Sequence, residues 1–238
     1  MSVCQVTLSA NAGVALHLGG ARIWVDALHQ HLVPGFSTVT PELWAAMNAH
    51  PDFAAPDLLF STHRHPDHFS RTLTLRTLDR WPLAEVALPE QVLDRQFLLS
   101  RPRERLLLPE VTLQFARLPH EGPQYADVPH YGCILEHEGF RVLIAGDCAV
   151  AAPALESFVK EAGPIDLALL DFPWTTLKKG RRFIQEVIRP EHLLIYHLPF
   201  REDDIYHYRP AVARAADLLV EVPDVRLLWD PLQRETVE

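Results

Sequence analysis

The run Ser61-Thr62-His63-Arg64-His65-Pro66-Asp67-His68 places three imidazoles and a carboxylate in one short segment behind the apolar stretch Asp57-Leu58-Leu59-Phe60. Neutral imidazole and carboxylate are the usual protein ligands of zinc and other first-row metals, and the order H-x-H-x-D-H offers donors for two ions. If the apolar stretch is a buried strand, these donors stand at the carboxyl edge of a sheet, and further donors belong at comparable strand ends. Arg141-Val142-Leu143-Ile144-Ala145 leads to Gly146-Asp147, a glycine that permits a sharp turn and a carboxylate with two oxygens able to bridge two cations. Leu193-Leu194-Ile195-Tyr196 leads in the same way to His197. His192 starts that strand and lies roughly 16 Å from its tip at about 3.3 Å per residue, so only His197 can join the group.

One further donor is expected between these segments. His120 leaves the β-type stretch 111–118 and His130 opens the next, so antiparallel pairing of the two puts both at one edge. His120 holds the strand-exit position used by the other donors and is the expected ligand. His130 is then expected to face substrate or to back a ligand, and His130 and Tyr131 are the nearest guesses for a leaving-group acid. Lys178, Lys179, Arg181 and Arg182 read as a solvated helix face, Arg64 as solvent-facing, and His29 and His31 as decoration of a loop.

The elements that must hold these residues are legible as alternating patterns. Residues 3–9, 13–18 and 22–26 read as strands, with Gly19-Gly20 as a hairpin turn. Thr40 caps an expected helix with Pro41 at its first position. Strand 57–61, helix 71–80, strand 85–88 and helix 90–98 follow, then an Arg-rich connection at 101–105. Residues 111–118, 130–137 and 140–145 read as strands. From Pro153 onward helices 153–161, 180–188 and 210–219 alternate with strands 166–170, 192–196 and 225–229, which places helices over the faces of a sheet. The expected architecture is two packed sheets flanked by helices, built as a single domain over residues 1–238.

Composition narrows the function classes. A hydrophobic fraction of 48% with 22% charged residues is ordinary for a globular protein. No apolar run approaches bilayer length and the first residues lack the parts of a signal peptide, so a cytoplasmic location without membrane contact is expected. Three cysteines without paired spacing argue against a disulfide framework. The net charge of −9 opposes adhesion to nucleic acid, and a small-molecule substrate suits it better.

His63-x-His65-x-Asp67-His68, His120, Gly146-Asp147 and His197, in this order, resemble the metallo-β-lactamase-fold hydrolase superfamily over nearly the whole chain. The resemblance implies a four-layer αββα sandwich with a dinuclear site between the sheets. It implies that His63, His65 and His120 hold one ion, Asp67, His68 and His197 the other, that Asp147 bridges them, and that Asp26 supports a ligating histidine from behind. Departures from better-known branches narrow it further. His68 stands where authentic β-lactamases of this family usually lack histidine. His65 is not the glutamate of the di-iron oxygen-reducing branch, Pro119-His120-Glu121-Gly122-Pro123 departs from the glyoxalase II segment, and no basic arm of a tRNA nuclease is present. The nearest likeness is to simple bacterial metal-dependent hydrolases, including the branch acting on sugar lactones and related phosphate compounds. The expected function is hydrolysis of a small, anionic ester, a phosphodiester or lactone, by two divalent ions, zinc ahead of manganese or iron, with Asp67 as proton acceptor. A non-catalytic metal-binding or regulatory member of the fold and a thioesterase-type hydrolase are the alternatives.

Overall fold

The computed structural model describes residues 3–238. Two seven-stranded sheets carry the chain. The first contains β1 (Cys4–Leu8), β2 (Val14–Leu18), β3 (Ala21–Val25), β4 (Leu58–Phe60), β5 (Glu85–Leu88) and β6 (Phe97–Leu98), closed on its outer side by β14 (Arg234–Val237). The second contains β7 (Arg103–Leu107), β8 (Thr112–Arg117), β9 (Tyr131–His137), β10 (Phe140–Ile144), β11 (Leu167–Asp171), β12 (His192–Tyr196) and β13 (Asp224–Leu227). Each sheet has an antiparallel half and a parallel half: β3 to β6 run parallel in the first, β10 to β13 in the second. This is the αββα sandwich expected from the sequence.

Alternation along the second sheet explains the layers. Val142, Ile144, Leu167, Leu169, Leu194 and Tyr196 point into the core between the sheets, while Leu143, Ala168, Leu170, Leu193 and Ile195 pack outward under helices. Those helices are α3 (Pro153–Ala162), α4 (Pro173–Thr176), α5 (Lys178–Phe183) and α6 (Tyr208–Ala216), which contribute Leu155, Phe158, Trp174, Phe183 and Val212. Helices α1 (Pro41–Ala49) and α2 (Arg71–Arg80) add Met47 and Leu73 to the first core. The Thr40 cap holds as expected, its side-chain oxygen accepting from the Leu43 N–H. Among the described residues no helix is long and apolar enough to cross a membrane.

Several expectations are corrected. Residues 90–98 form no helix: the Gln96 side-chain oxygen accepts from the N–H groups of Val92 and Leu93, and the segment ends in the short strand β6. The expected connection at 101–105 overlaps β7, an edge strand whose exposed and half-buried residues alternate; charge on an edge strand guards it against further pairing and disguises it in sequence. The helix expected at 180–188 begins earlier as α5 and widens into a π-turn at Ile184–Ile188, closed by the Arg189 N–H donating to the Ile184 carbonyl with Arg189 in the left-handed region. His29 does not decorate a loop. It is fully buried with Nε2 bonded to the Ala10 carbonyl, whereas His31 is exposed.

Burial lowers the His29 pKa to about 4 from an ordinary 6.5. Above about pH 6.5 both folded and unfolded chains keep this ring neutral; below it the unfolded chain takes the proton first, so stability falls as pH drops from about 6.5 toward 4. At pH 4.5 this one group should cost about 2.5 kcal/mol. Denaturant midpoints of the metal-free protein at pH 7.5 and 4.5 should therefore differ less in His29→Gln than in the unaltered chain; equal acid losses in the two would contradict this assignment.

Candidate metal centre

The parallel halves of both sheets point their carboxyl ends at one cleft, and the backbone turns sharply there. Asp26 after β3 (φ 49°) and His197 after β12 (φ 58°) sit in the left-handed region, as does Gly146 after β10 (φ 56°). For residues with a Cβ this costs of order 1–3 kcal/mol and persists only where surroundings enforce it. They do: the Asp26 N–H donates to the Phe60 carbonyl and the His197 N–H to the Asn11 carbonyl. At Gly146 a Cβ would meet His130 Nε2 at 2.7 Å and Thr62 side-chain carbons at 3.0 Å, so glycine is required by space as well as by φ.

Two groups of donors converge in this cleft: His63, His65, His120 and Asp147 in one, Asp67, His68 and His197 in the other. All seven residues expected as ligands are thus brought together. In the first group His63 Nε2 lies 2.9 Å from His65 Nδ1 and 3.3 Å from His120 Nε2, and the last two are 3.2 Å apart. In the second, His68 Nε2 lies 3.0 Å from His197 Nε2, and Asp67 Oδ2 is 3.9 and 3.8 Å from the two rings. Asp147 reaches both groups: Oδ2 stands 3.7 Å from His120, 3.9 Å from His63 and 3.3 Å from His68, and Oδ1 3.5 Å from His197.

The far side of each ring decides what this arrangement means. Thr62 Oγ1 donates to Asp26 Oδ2 at 2.7 Å, so toward His63 Nδ1, 3.0 Å away, it can only accept; His63 carries its proton on Nδ1. His120 Nδ1 donates to the Glu121 carbonyl at 2.8 Å, and His68 Nδ1 donates to Asp26 Oδ2 at 3.0 Å. The Nε2 atoms of His63 and His120 are therefore bare lone pairs 3.3 Å apart, with no hydrogen bond possible between them. A cation resolves the conflict: with metal–nitrogen bonds of about 2.0 Å, tetrahedral neighbours stand about 3.3 Å from one another. The donor set thus fits a divalent ion. Asp147 Oδ1, buried and without a hydrogen-bond partner, fits the same requirement.

Electrostatics agree. Burial opposes charge on His68, yet Asp147 and Asp26 outweigh it and hold that imidazole well above its ordinary range. Burial likewise opposes charge on Asp67 and Asp147, and His68 and His197 more than offset it, so both carboxyls lie below the usual carboxylate range. His63 is pushed well below the imidazole range, first by burial and then by its histidine neighbours. Asp171 reaches the same sheet end but is forced upward by burial and by Asp147, and none of the donors uses it.

Asp26 stands where the resemblance implied, accepting from the Thr62 N–H, the Thr62 hydroxyl and His68. His130 lies beside the donors and not among them, its ring centre 5.3 Å from that of His63 and 5.5 Å from that of His120. It is wholly buried behind Gly146, its Nδ1 is 3.3 Å from the Leu118 carbonyl, and burial lowers its pKa to about 3. Tyr131 is also buried, its hydroxyl donating to the Arg101 carbonyl. Sequence reasoning missed Tyr125, whose ring centre lies 4.7 Å from His65 and 4.8 Å from His120, and Phe36, which meets His197 edge-on at 5.1 Å. No spacing pattern marks either; each arrives on a loop.

With this geometry in place, the family model described as the beta-lactamase superfamily domain matches residues 22–228. The chain belongs to that family. Solved structures share its fold: Igni18, a novel metallo hydrolase from the archaeon Ignicoccus hospitalis, superposes at a TM-score of 0.67 with 16% identity over 99% of each chain. The isothiocyanate hydrolase from Delia radicum gut bacteria gives 0.65 with 14% identity over 100% of this chain and 99% of that one. CmlA, a diiron beta-hydroxylase from Streptomyces venezuelae, gives 0.65 with 17% identity over 100% of this chain but 54% of its own. At such identities the likeness is one of fold. No curated protein matches the sequence.

The hydrogen bonds behind the rings make a graded prediction for metal titration against a chromophoric chelator. His120→Ala should weaken binding more than about 100-fold, and Thr62→Val, which removes the acceptor behind His63 and a donor to Asp26, about 10- to 100-fold. His130→Ala should lower stability while leaving affinity within about threefold. Loss of metal in His130→Ala with retention in His120→Ala would reverse the assignment.

Proposed function

We propose that this protein is a metal-dependent hydrolase that cleaves a small ester, either a phosphodiester or a lactone, with two divalent ions, zinc ahead of manganese or iron. The observation that carries the reading is the pair of converging donor groups sharing Asp147. His63, His65 and His120 would hold one ion, Asp67, His68 and His197 the other, with Asp147 between them. Such ions supply Lewis acidity, lowering the pKa of water toward about 7 and offsetting charge that develops on a substrate oxygen.

The chain's own residues supply position and proton handling. Asp26 and Thr62 fix the tautomers and planes of His63 and His68, so the donor atoms stay aimed into the cleft before substrate arrives. Asp67, half-buried and held in its ionised form by His68 and His197, is the proton acceptor for the attacking water and can return that proton to the departing oxygen. The net charge of −9 keeps polyanions from the surface at large, which favours a small substrate over nucleic acid. His65 stands where the di-iron oxygen-reducing branch of the resemblance carries glutamate, which favours hydrolysis over that chemistry.

Bis(p-nitrophenyl) phosphate and a panel of lactones are the direct test. Metal loading should bring turnover of at least one compound type; Asp67→Asn should lower kcat about 100-fold or more, and Asp147→Ala should lose both activity and metal. A loaded protein inert toward both compound types, or one equally active as Asp67→Asn, would refute the proposal.

A further inference from the structure

Two aromatic side chains outside the donor set, Tyr125 and Phe36, pack against donor histidines. Tyr125, 38% exposed, leans on His65 and His120, which belong to the first donor group. Phe36 meets His197, which belongs to the second, at an interplanar angle of 88°. The two groups abut, with the His63 and His68 rings only 4.0 Å apart. Tyr125 and Phe36 therefore bracket the reacting centre from opposite ends.

Both rings are held in place. The Tyr125 turn follows Glu121, whose N–H donates to the Asp147 carbonyl and whose carboxylate accepts from the Val150 N–H, so the loop is tied to the ligand-bearing turn itself. Phe36 stacks on Tyr208 at 6.1 Å, and Tyr208 packs against Phe172 at 4.7 Å and Tyr206 at 5.5 Å. Next to Phe36, Ser37 donates to Asp203 and accepts from the Phe200 N–H, each at 2.7 Å, which braces one wall loop against the other. Cations nearby are engaged elsewhere: Arg64 pairs with Glu90, and Arg209 with Asp230 and the carbonyls of Pro199 and Trp229. Negative charge on a substrate would be met by the metal ions, and Tyr125 and Phe36 are aromatic rings packed against the donors of each group.

We infer that Tyr125 and Phe36 are specificity-determining residues that take flat, apolar substituents, one on each side of the hydrolysed linkage, so the substrate is a small ester bearing aryl-like groups at both ends. This rests on the metal-dependent reading above. Ring-on-ring contact of this kind is expected to favour an aryl over a methyl substituent by roughly five- to tenfold for each ring.

Calorimetric binding of diphenyl phosphate and dimethyl phosphate to the metal-loaded full-length protein separates the two ends without requiring turnover. Diphenyl phosphate should bind at least about 25-fold tighter, the product of the two ring preferences. Tyr125→Ala and Phe36→Leu should each lower that ratio about fivefold, and Tyr125→Phe should retain it. Equal binding of the two phosphates, or an undiminished ratio in both variants, overturns the inference even if turnover is intact. A preserved ratio without turnover of any ester would count against hydrolysis alone; failure of both phosphates to bind would count against both readings.

Discussion

Two imidazole lone pairs that face each other across 3.3 Å are the interaction on which the rest of the structure depends. His63 and His120 each spend their single proton on the side away from the cleft, to Thr62 and to the Glu121 carbonyl, and so present bare nitrogens to each other. Two acceptors at that distance repel unless something positive lies among them. The hydrogen bonds behind the rings are therefore as informative as the rings themselves, because they remove the alternative in which His63 and His120 bond to each other. The raised pKa of His68, held between Asp147 and Asp26 against the penalty of burial, expresses the same demand for positive charge.

The fold meets this demand by bringing strand ends from two sheets to one edge. The histidine loop follows β4 of the first sheet; Asp147 and His197 follow β10 and β12 of the second. Asp26 follows β3 of the first sheet and backs both donor groups, since its carboxylate holds Thr62, which backs His63, and His68. Left-handed backbone at Asp26 and His197 is the strain this convergence entails, and backbone bonds from neighbouring strands and turns contain it. The buried apolar ladders of the parallel strands supply the rigidity that keeps such strained tips in register.

Most of the donor set was legible because its signal is local. An apolar strand ending in a polar tip is a pattern within six or seven residues, and it recurs at His63, Asp147 and His197; Gly146 was readable for the same reason. His120 and His130 could not be separated by pattern, since both occupy one sheet edge, and only packing behind Gly146 leaves His130 outside the donor groups. His29 was misread because a histidine in a loop segment shared with His31, Pro34 and Gly35 carries no sign of the Ala10 carbonyl its ring is bonded to in the buried interior. The edge strands β7 and β14 were missed because their charged, alternating residues suit an edge and imitate a loop. Tyr125 and Phe36 owe their positions to braces formed across 26 to 166 residues of chain, such as Glu121 to the Asp147 turn and Ser37 to Asp203, which no window on the sequence can reveal.

X-ray absorption at the zinc edge of the zinc-loaded protein tests the central claim most directly. The proposed pair of ions sharing Asp147 predicts imidazole and carboxylate ligation together with a second metal at about 3.5–4 Å. A spectrum with mixed imidazole–carboxylate scattering and a metal–metal vector in that range is the expected result. Saturation at one zinc per chain with no metal neighbour, or ligation without imidazole, would contradict it.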